Sequence, residues 1–129
     1  MRLDEKAREN VEAAERLLGG DSDGETWMMP LHNAAASRAY YAAYQAVADR
    51  AQAEGIQFDD REGRYYHHRT LPGTAVGWRI LERDQADALL WLFELRVKAD
   101  YEEDDVGLSE AARASRMARE LVDSLLGDT

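Results

Sequence analysis

The chain has 129 residues, of which 45% are hydrophobic and 33% charged, an ordinary balance for one folded domain, which we expect over residues 1–129. It contains no cysteine, which excludes disulfides, thiolate zinc sites and cysteine nucleophiles. The formal net charge of -10 argues against tight, non-specific binding of nucleic acid over the whole surface, although a local basic patch stays open. The charged N-terminus is not a signal peptide, and no apolar run approaches the ~20 residues of a membrane span, so we expect a cytoplasmic protein without a membrane partner.

Two helices are predicted in the first half of the chain. Apolar residues recur every three or four positions over residues 3–18, which is typical of an amphipathic helix. Residues 31–54 predict a longer, alanine-rich helix that ends at Gly55. Because small side chains let neighbouring helices approach closely, we expect this second helix at the centre of a bundle or in a dimer interface. Tyr40 and Tyr44 lie on one face of it, and core packing with the hydroxyl on a polar partner is the simplest role for both.

An irregular segment at residues 56–77 contains the most basic stretch of this acidic chain. Residues 61–69, REGRYYHHR, hold three arginines and two histidines against one acid, with tyrosines between them. Interleaved basic and aromatic side chains suit phosphate contact and base stacking on single-stranded RNA. The alternative is a solvated loop with a tyrosine packed beneath it. His67 and His68 have no cysteine or acid at metal-ligand spacing, so we expect no metal site there.

A third long helix is predicted over residues 85–100, after a short helix or entry turn at 78–84. One stripe of this helix turns from apolar to charged, because residues spaced four, three and four apart share a face. An ion pair that continues an apolar stripe is costly to desolvate, so it marks either the rim of the core or a functional site. The stripe consists of Leu89, Phe93, Arg96 and Asp100, and Tyr101 follows it.

The last helix is predicted to begin at Ser109, a good N-cap residue. Before it, residues 102–105, EEDD, are expected to form a solvated acidic loop. Since no stretch alternates with a period of two, the predicted fold class is all-α: an up-and-down bundle of four long helices plus a short helix. The apolar face of the last helix comprises Ala111, Ala114, Ala118, Leu121 and Leu125.

The order of the segments along the chain can be compared with that in known families. Residues 37–44, SRAYYAAY, are followed by a histidine-bearing loop and by residues 96–101, RVKADY. Set between an amphipathic first helix and an alanine-rich last one, they resemble the HEPN superfamily, in particular its small prokaryotic branch, over nearly the whole chain. The resemblance implies a HEPN-like bundle that pairs into a homodimer and uses no cofactor or metal. Many members are metal-independent ribonucleases, often toxins encoded beside a minimal nucleotidyltransferase, which is thus an implied partner.

In the ribonucleases of this superfamily, an arginine on the late helix is followed after four to six residues by a histidine. The arginine would stabilise charge on the phosphate, and the histidine would move the 2′-hydroxyl proton. Here Tyr101 stands five residues after Arg96, and no histidine follows it. A tyrosine titrates near ~10 and is a poor base at neutral pH, so binding without cleavage is favoured. Arg61 and His67, with five residues between them, also fit the arginine–histidine pattern, but they lie in the irregular segment.

We therefore predict a dimeric HEPN-type protein that binds RNA or a nucleotide in a cleft around Arg96, Asp100 and Tyr101, in a module with a nucleotidyltransferase. The first alternative is a ribonuclease toxin in which Arg96 acts with Tyr101, or with His67 or His68 brought in from the loop or the other subunit, and Asp100 is a further catalytic candidate. The second is a dimerising adaptor whose Arg96–Asp100 pair only fixes helix register. The further residues predicted to bind RNA or nucleotide are Ser37, Tyr41, Arg61, Arg64, Tyr65 and Arg69.

Overall fold

The structure is a computed structural model that describes residues 2–19, 29–56, 67–101 and 105–127. These residues form five α-helices and no strand, which confirms the prediction of an all-α bundle with four long helices and a short one. None of the described helices is both long enough and apolar enough to cross a membrane. The helices are α1 (Leu3–Gly19), α2 (Met29–Ala53), α3 (Leu71–Gly77), α4 (Arg83–Tyr101) and α5 (Leu108–Leu126).

The four long helices run alternately up and down, as their cross-helix contacts show. Ser37, in the first half of α2, contacts Asp100 at the end of α4, so these two helices are antiparallel. Arg50, near the end of α2, donates to the carbonyl of Leu125 near the end of α5, so that pair is parallel. Arg8, in the first half of α1, donates to the last carbonyls of α5, and α1 therefore runs antiparallel to α5.

α2 lies at the centre of the bundle, where it packs against α1, α4 and α5. Its alanines form a nearly continuous small-residue surface, and this is why three helices can approach it closely. The prediction of a central position for α2 is therefore confirmed. The alanines that are no more than 1% exposed are Ala35, Ala36, Ala39, Ala42, Ala43, Ala46, Ala48 and Ala51.

The short helix lies earlier in the chain than predicted. Irregular backbone was expected up to residue 77 and a helix or turn at 78–84, but α3 ends at residue 77. Pro72 lies in the first turn of α3, where its missing N–H removes no helical hydrogen bond. Leu71 and Ala75 are buried, and α3 contacts α4. Arg79 then takes a φ of 65°, the left-handed conformation that turns the chain into α4.

α5 also begins earlier than predicted, so Ser109 is not its N-cap. Gly107 is the N-cap, and its N–H donates to the Glu110 carboxylate at 3.3 Å. The preceding Val106 is fully buried, and its N–H donates to the side-chain oxygen of Asn33 at 2.8 Å. This contact with α2 fixes the chain just before α5, and it overrides the local preference for serine at a helix start.

Candidate functional site

The charged end of the α4 stripe lies against α2. Leu89 and Phe93 are buried at 1% and 8% exposure. The side chains of Arg96 and Asp100 are 16% and 32% exposed, so the stripe passes from the core towards solvent as the sequence indicated. The apolar half of the stripe therefore stabilises the α2–α4 packing, and the polar half lies at the edge of that packing.

Arg96 is held by groups from both helices. Its Nη2 donates to the Tyr41 hydroxyl at 2.6 Å and to the Tyr101 hydroxyl at 3.4 Å. The guanidinium carbon lies 5.2 Å from the ring centroid of each tyrosine, within cation–π range. Asp100 Oδ2 lies 3.0 Å from Arg96 Nε and accepts a hydrogen bond from Ser37 Oγ at 3.3 Å. The predicted ion pair therefore forms, and it is framed by three hydroxyl groups.

One donor of this guanidinium is left unused. The Nε–H of Arg96 is buried, and despite the short distance to Asp100 its direction gives it no hydrogen bond with any described residue. Its attraction to Asp100 is therefore ionic rather than a hydrogen bond. A buried donor without a partner costs about 1–3 kcal/mol. The ion pair with Asp100 and the bond from Nη2 to Tyr41 offset this cost in part.

Tyr101 presents an exposed aromatic ring beside this cation. It is 71% exposed, and among the described residues Leu108, at 55%, is the other large hydrophobic side chain that is open to solvent. An exposed aromatic ring offers a face on which a nucleotide base can stack. The seam between α2 and α4 thus combines a positive charge and an accessible ring face.

His68 enters the same cluster from the turn before α3. Its Nδ1 shares a hydrogen bond with the Tyr40 hydroxyl. Its ring lies between those of Tyr44 and Phe93, with centroid distances of 4.4 and 6.1 Å. It also meets the ring of Tyr41 edge-on at 6.3 Å. Whether a loop histidine approaches the Arg96 site was open from the sequence, and His68 does so through Tyr41, the tyrosine that contacts Arg96.

The surroundings of His68 keep it neutral. Burial lowers its pKa below the ordinary 6.5, and the positive charges of Arg96 and His67 lower it further. Burial likewise raises the pKa of the Tyr40 hydroxyl well above its ordinary value, with smaller contributions from Tyr44 and Tyr41. Both groups are therefore uncharged at neutral pH, and a neutral imidazole retains one nitrogen lone pair.

The other predicted residues are less closely gathered. Arg69 lies over the ring of Phe93, one of the rings that contact His68, with its guanidinium carbon 5.2 Å from the centroid. His67 is exposed. The described residues bring no three histidine or carboxylate side chains together in a way that would hold a metal ion. Three predicted RNA contacts lie outside the described residues: Arg61, Arg64 and Tyr65.

Tyr40 and Tyr44 were interpreted as core residues, and they are buried at 1% and 8% exposure. Their second role, which is to pack against the ring of His68, was not predicted. The sequence did carry a signal for it, because each tyrosine hydroxyl on a buried helix face needs a polar partner.

Searches of this chain against protein-family models and against curated proteins find no match in either set. The resemblance to the HEPN superfamily therefore rests on the segments 37–44 and 96–101 and on the order of the helices around them.

Proposed function

We propose that the protein binds single-stranded RNA or a nucleotide at the α2–α4 seam, with Arg96 on a phosphate and Tyr101 stacked on a base. The observation that carries this proposal is the exposed Tyr101 ring in cation–π contact with the Arg96 guanidinium. A cation and an aromatic face are the two groups by which proteins hold unpaired nucleotides. Paired bases are stacked within a helix and would not reach the ring, so the single strand is favoured.

Ser37, Tyr41 and Asp100 have supporting roles in this proposal. The Tyr41 hydroxyl holds the guanidinium in place before the ligand arrives, and Asp100, which Ser37 orients, neutralises the cation until a phosphate takes its place. Because the chain carries a net charge of -10, its overall field opposes RNA. The affinity must then come from local contacts at Arg96 and Tyr101 rather than from general attraction.

The proposal includes HEPN membership, a homodimer, a cytoplasmic setting and a two-component module with a nucleotidyltransferase partner. Support comes from the antiparallel contact between the segments that carry the resemblance, since Tyr41 of residues 37–44 meets Arg96 of residues 96–101. Pairing of two chains along this seam would turn an open surface into a cleft with two such sites.

The Tyr101→Ala variant tests the proposal directly. It is expected to weaken binding of a labelled single-stranded oligoadenylate about five- to hundredfold, because stacking of a base on an aromatic ring contributes about 1–3 kcal/mol. Tyr101→Phe keeps the ring and should bind nearly as tightly as the unmodified protein. Fluorescence anisotropy at fixed salt measures the affinities, and competition by AMP shows whether one nucleotide is enough.

Leu108→Ala is the matched control, because it trims the other exposed large side chain and should leave RNA binding unchanged. Equal affinity of Tyr101→Ala and the unmodified protein would contradict the stacking role.

A second candidate, a metal-independent ribonuclease, is favoured by the position of His68. In the tautomer whose Nδ1–H donates to Tyr40, Nε2 of the neutral imidazole is free to take the proton of a 2′-hydroxyl. The 2′-oxygen would then attack phosphorus, the bond from phosphorus to the 5′-oxygen would break, and the 5′-oxygen would take a proton from water, giving a 2′,3′-cyclic phosphate and a 5′-hydroxyl end. Arg96 would stabilise the charge that develops on the phosphate oxygens.

This candidate predicts a particular pH dependence. Because the pKa of His68 is lowered from 6.5, its base form is the major form at pH 6.5 and is lost as the pH falls through the lower folded value. Cleavage of labelled RNA without added metal should therefore persist into pH values at which an ordinary histidine is protonated. His68→Phe, which keeps a ring in the stack, should abolish cleavage, and His67→Phe should not. Cleavage that survives in His68→Phe would exclude His68 as the base.

A further inference from the structure

A different face of α4 borders a groove that the proposed function does not use. α4 and α5 contact each other much less than either contacts α2. The space between them contains three adjoining cavities of about 490, 340 and 310 Å³. Neighbouring cavities have lining residues in common, Gln85 and Ser124 at one junction and Asp84 and Met117 at the other. They therefore form one continuous depression, which we call the α4–α5 groove.

The floor of the α4–α5 groove is apolar. Trp91 is only partly buried, and its ring is covered by the guanidinium of Arg113 at 4.6 Å from the centroid. Ala88 on α4 and Met117 on α5 are also partly buried and face the same space. Such a floor gains free energy when a partner's apolar side chains remove it from water. The apolar residues that line the groove are Val76, Ile80, Leu81, Ala88, Trp91, Met117 and Leu121.

The lining of the α4–α5 groove is negatively charged overall. Its two arginines are Arg79 and Arg113, and Arg113 already lies on the ring of Trp91. A cationic partner is attracted by this rim and by the net charge of the chain, whereas RNA is repelled by both. A second copy of this chain carries the same net charge of -10, which opposes its approach. Four carboxylates line the groove: Glu82, Asp84, Asp87 and Glu120.

The length of the α4–α5 groove suits a short helix. Residues 84–91 form its α4 side, and seven steps of ~1.5 Å give about 10 Å, or roughly two helical turns. A third helix fits between two helices that lie side by side when its apolar stripe enters the groove. We propose that the α4–α5 groove binds a basic amphipathic helix of a partner protein, with its apolar stripe on Ala88, Trp91 and Met117 and its lysines or arginines beside Asp84 and Asp87.

The test uses a labelled amphipathic peptide of leucine and lysine, and a second peptide in which glutamate replaces every lysine. The lysine peptide is expected to bind the full chain and the glutamate peptide is not. Asp84→Lys/Asp87→Lys changes two exposed residues and should weaken binding by about tenfold or more. Glu5→Lys/Glu12→Lys makes the same change in net charge at exposed positions of α1, and it should leave the affinity nearly unchanged.

Ala88→Glu separates docking from simple charge attraction. It makes the α4–α5 groove more acidic but fills its floor, so docking predicts weaker binding and charge attraction predicts tighter binding. Circular dichroism and the unfolding midpoint show whether Ala88→Glu folds. If it does not, the comparison of Asp84→Lys/Asp87→Lys with Glu5→Lys/Glu12→Lys still tests the docking proposal. Equal weakening by both double variants, tighter binding by Ala88→Glu, or no binding of the lysine peptide would overturn the proposal. A concentration-dependent dimer that Ala88→Glu dissociates, without peptide binding, would assign the groove to a second copy instead.

Discussion

Tyr40→Ala is expected to lower the free energy of unfolding by about 3–5 kcal/mol, the usual cost of deleting a buried aromatic side chain. Tyr40 is 1% exposed and is the largest of the fully buried side chains among the described residues. Its ring centroid lies within 6.0 Å of those of Tyr41, Tyr44, His68 and Phe93. The variant would therefore open a cavity where α2, α4 and the turn before α3 meet. Chemical denaturation followed by circular dichroism measures the loss.

Tyr40→Phe separates the ring from the hydroxyl. It keeps the packing but removes the hydrogen bond to His68 Nδ1, and the expected cost is about 1 kcal/mol because His68 is partly open to water. Tyr101→Ala, at an exposed ring, should leave the stability nearly unchanged. If Tyr40→Ala costs no more than Tyr40→Phe, the ring does not stabilise the fold in the way its contacts indicate.

The long helices could be predicted because their pattern is local. On α1, Ala7, Val11 and Ala14 are fully buried, as their spacing of four and three indicated. On α5, Ala118 and Leu121 lie in the core as predicted. Such periodicity depends only on neighbours within a few residues, so it can be recognised without knowing which helices pack against it.

The predicted helix boundaries were wrong where contacts between residues far apart in the chain determine the local structure. Leu71 is buried in α3, which contacts α4, and nothing within a few residues of it indicates that contact. The start of α5 is fixed by Asn33, which is 73 residues away from the N–H that it accepts. Ser109 has the better local preference for an N-cap, but a tertiary contact outweighs a propensity of this size.

The candidate site shows the same division. Arg96 and Asp100 are four residues apart on one helix, so their pairing could be predicted from spacing alone. The bond from Arg96 to Tyr41 spans 55 residues, and only the resemblance brought those segments together beforehand. The meeting of His68 with Tyr40 depends on the path of the chain between α2 and α3, which no periodicity encodes.

Arg96→Ala is expected to have the largest effect on RNA binding, a loss of about a hundredfold or more. Hydrogen bonds to charged groups contribute about 1.5–3 kcal/mol each, and a guanidinium can give a phosphate two of them. Arg50→Ala is the matched control, because it removes an arginine of α2 that likewise has an i,i+4 carboxylate partner, Glu54, and it should leave RNA binding unchanged. Anisotropy at fixed salt gives both affinities, and denaturation shows that each variant is folded.

Asp100→Asn should act in the opposite direction and raise RNA affinity. The Asp100 carboxylate lies 3.0 Å from Arg96 Nε and competes with a phosphate for the same cation, whereas an amide at this position keeps an oxygen for Ser37 without the charge. If the pair only fixes helix register, as in an adaptor, both variants should lose stability and neither should change RNA binding. If Asp100→Asn instead weakens RNA binding as much as Arg96→Ala does, the carboxylate positions the cation rather than competing for it. The direction of the change in RNA affinity in Asp100→Asn therefore distinguishes two kinds of site. In one, a phosphate must displace the Asp100 carboxylate from Arg96; in the other, the carboxylate stays and positions Arg96 for the phosphate.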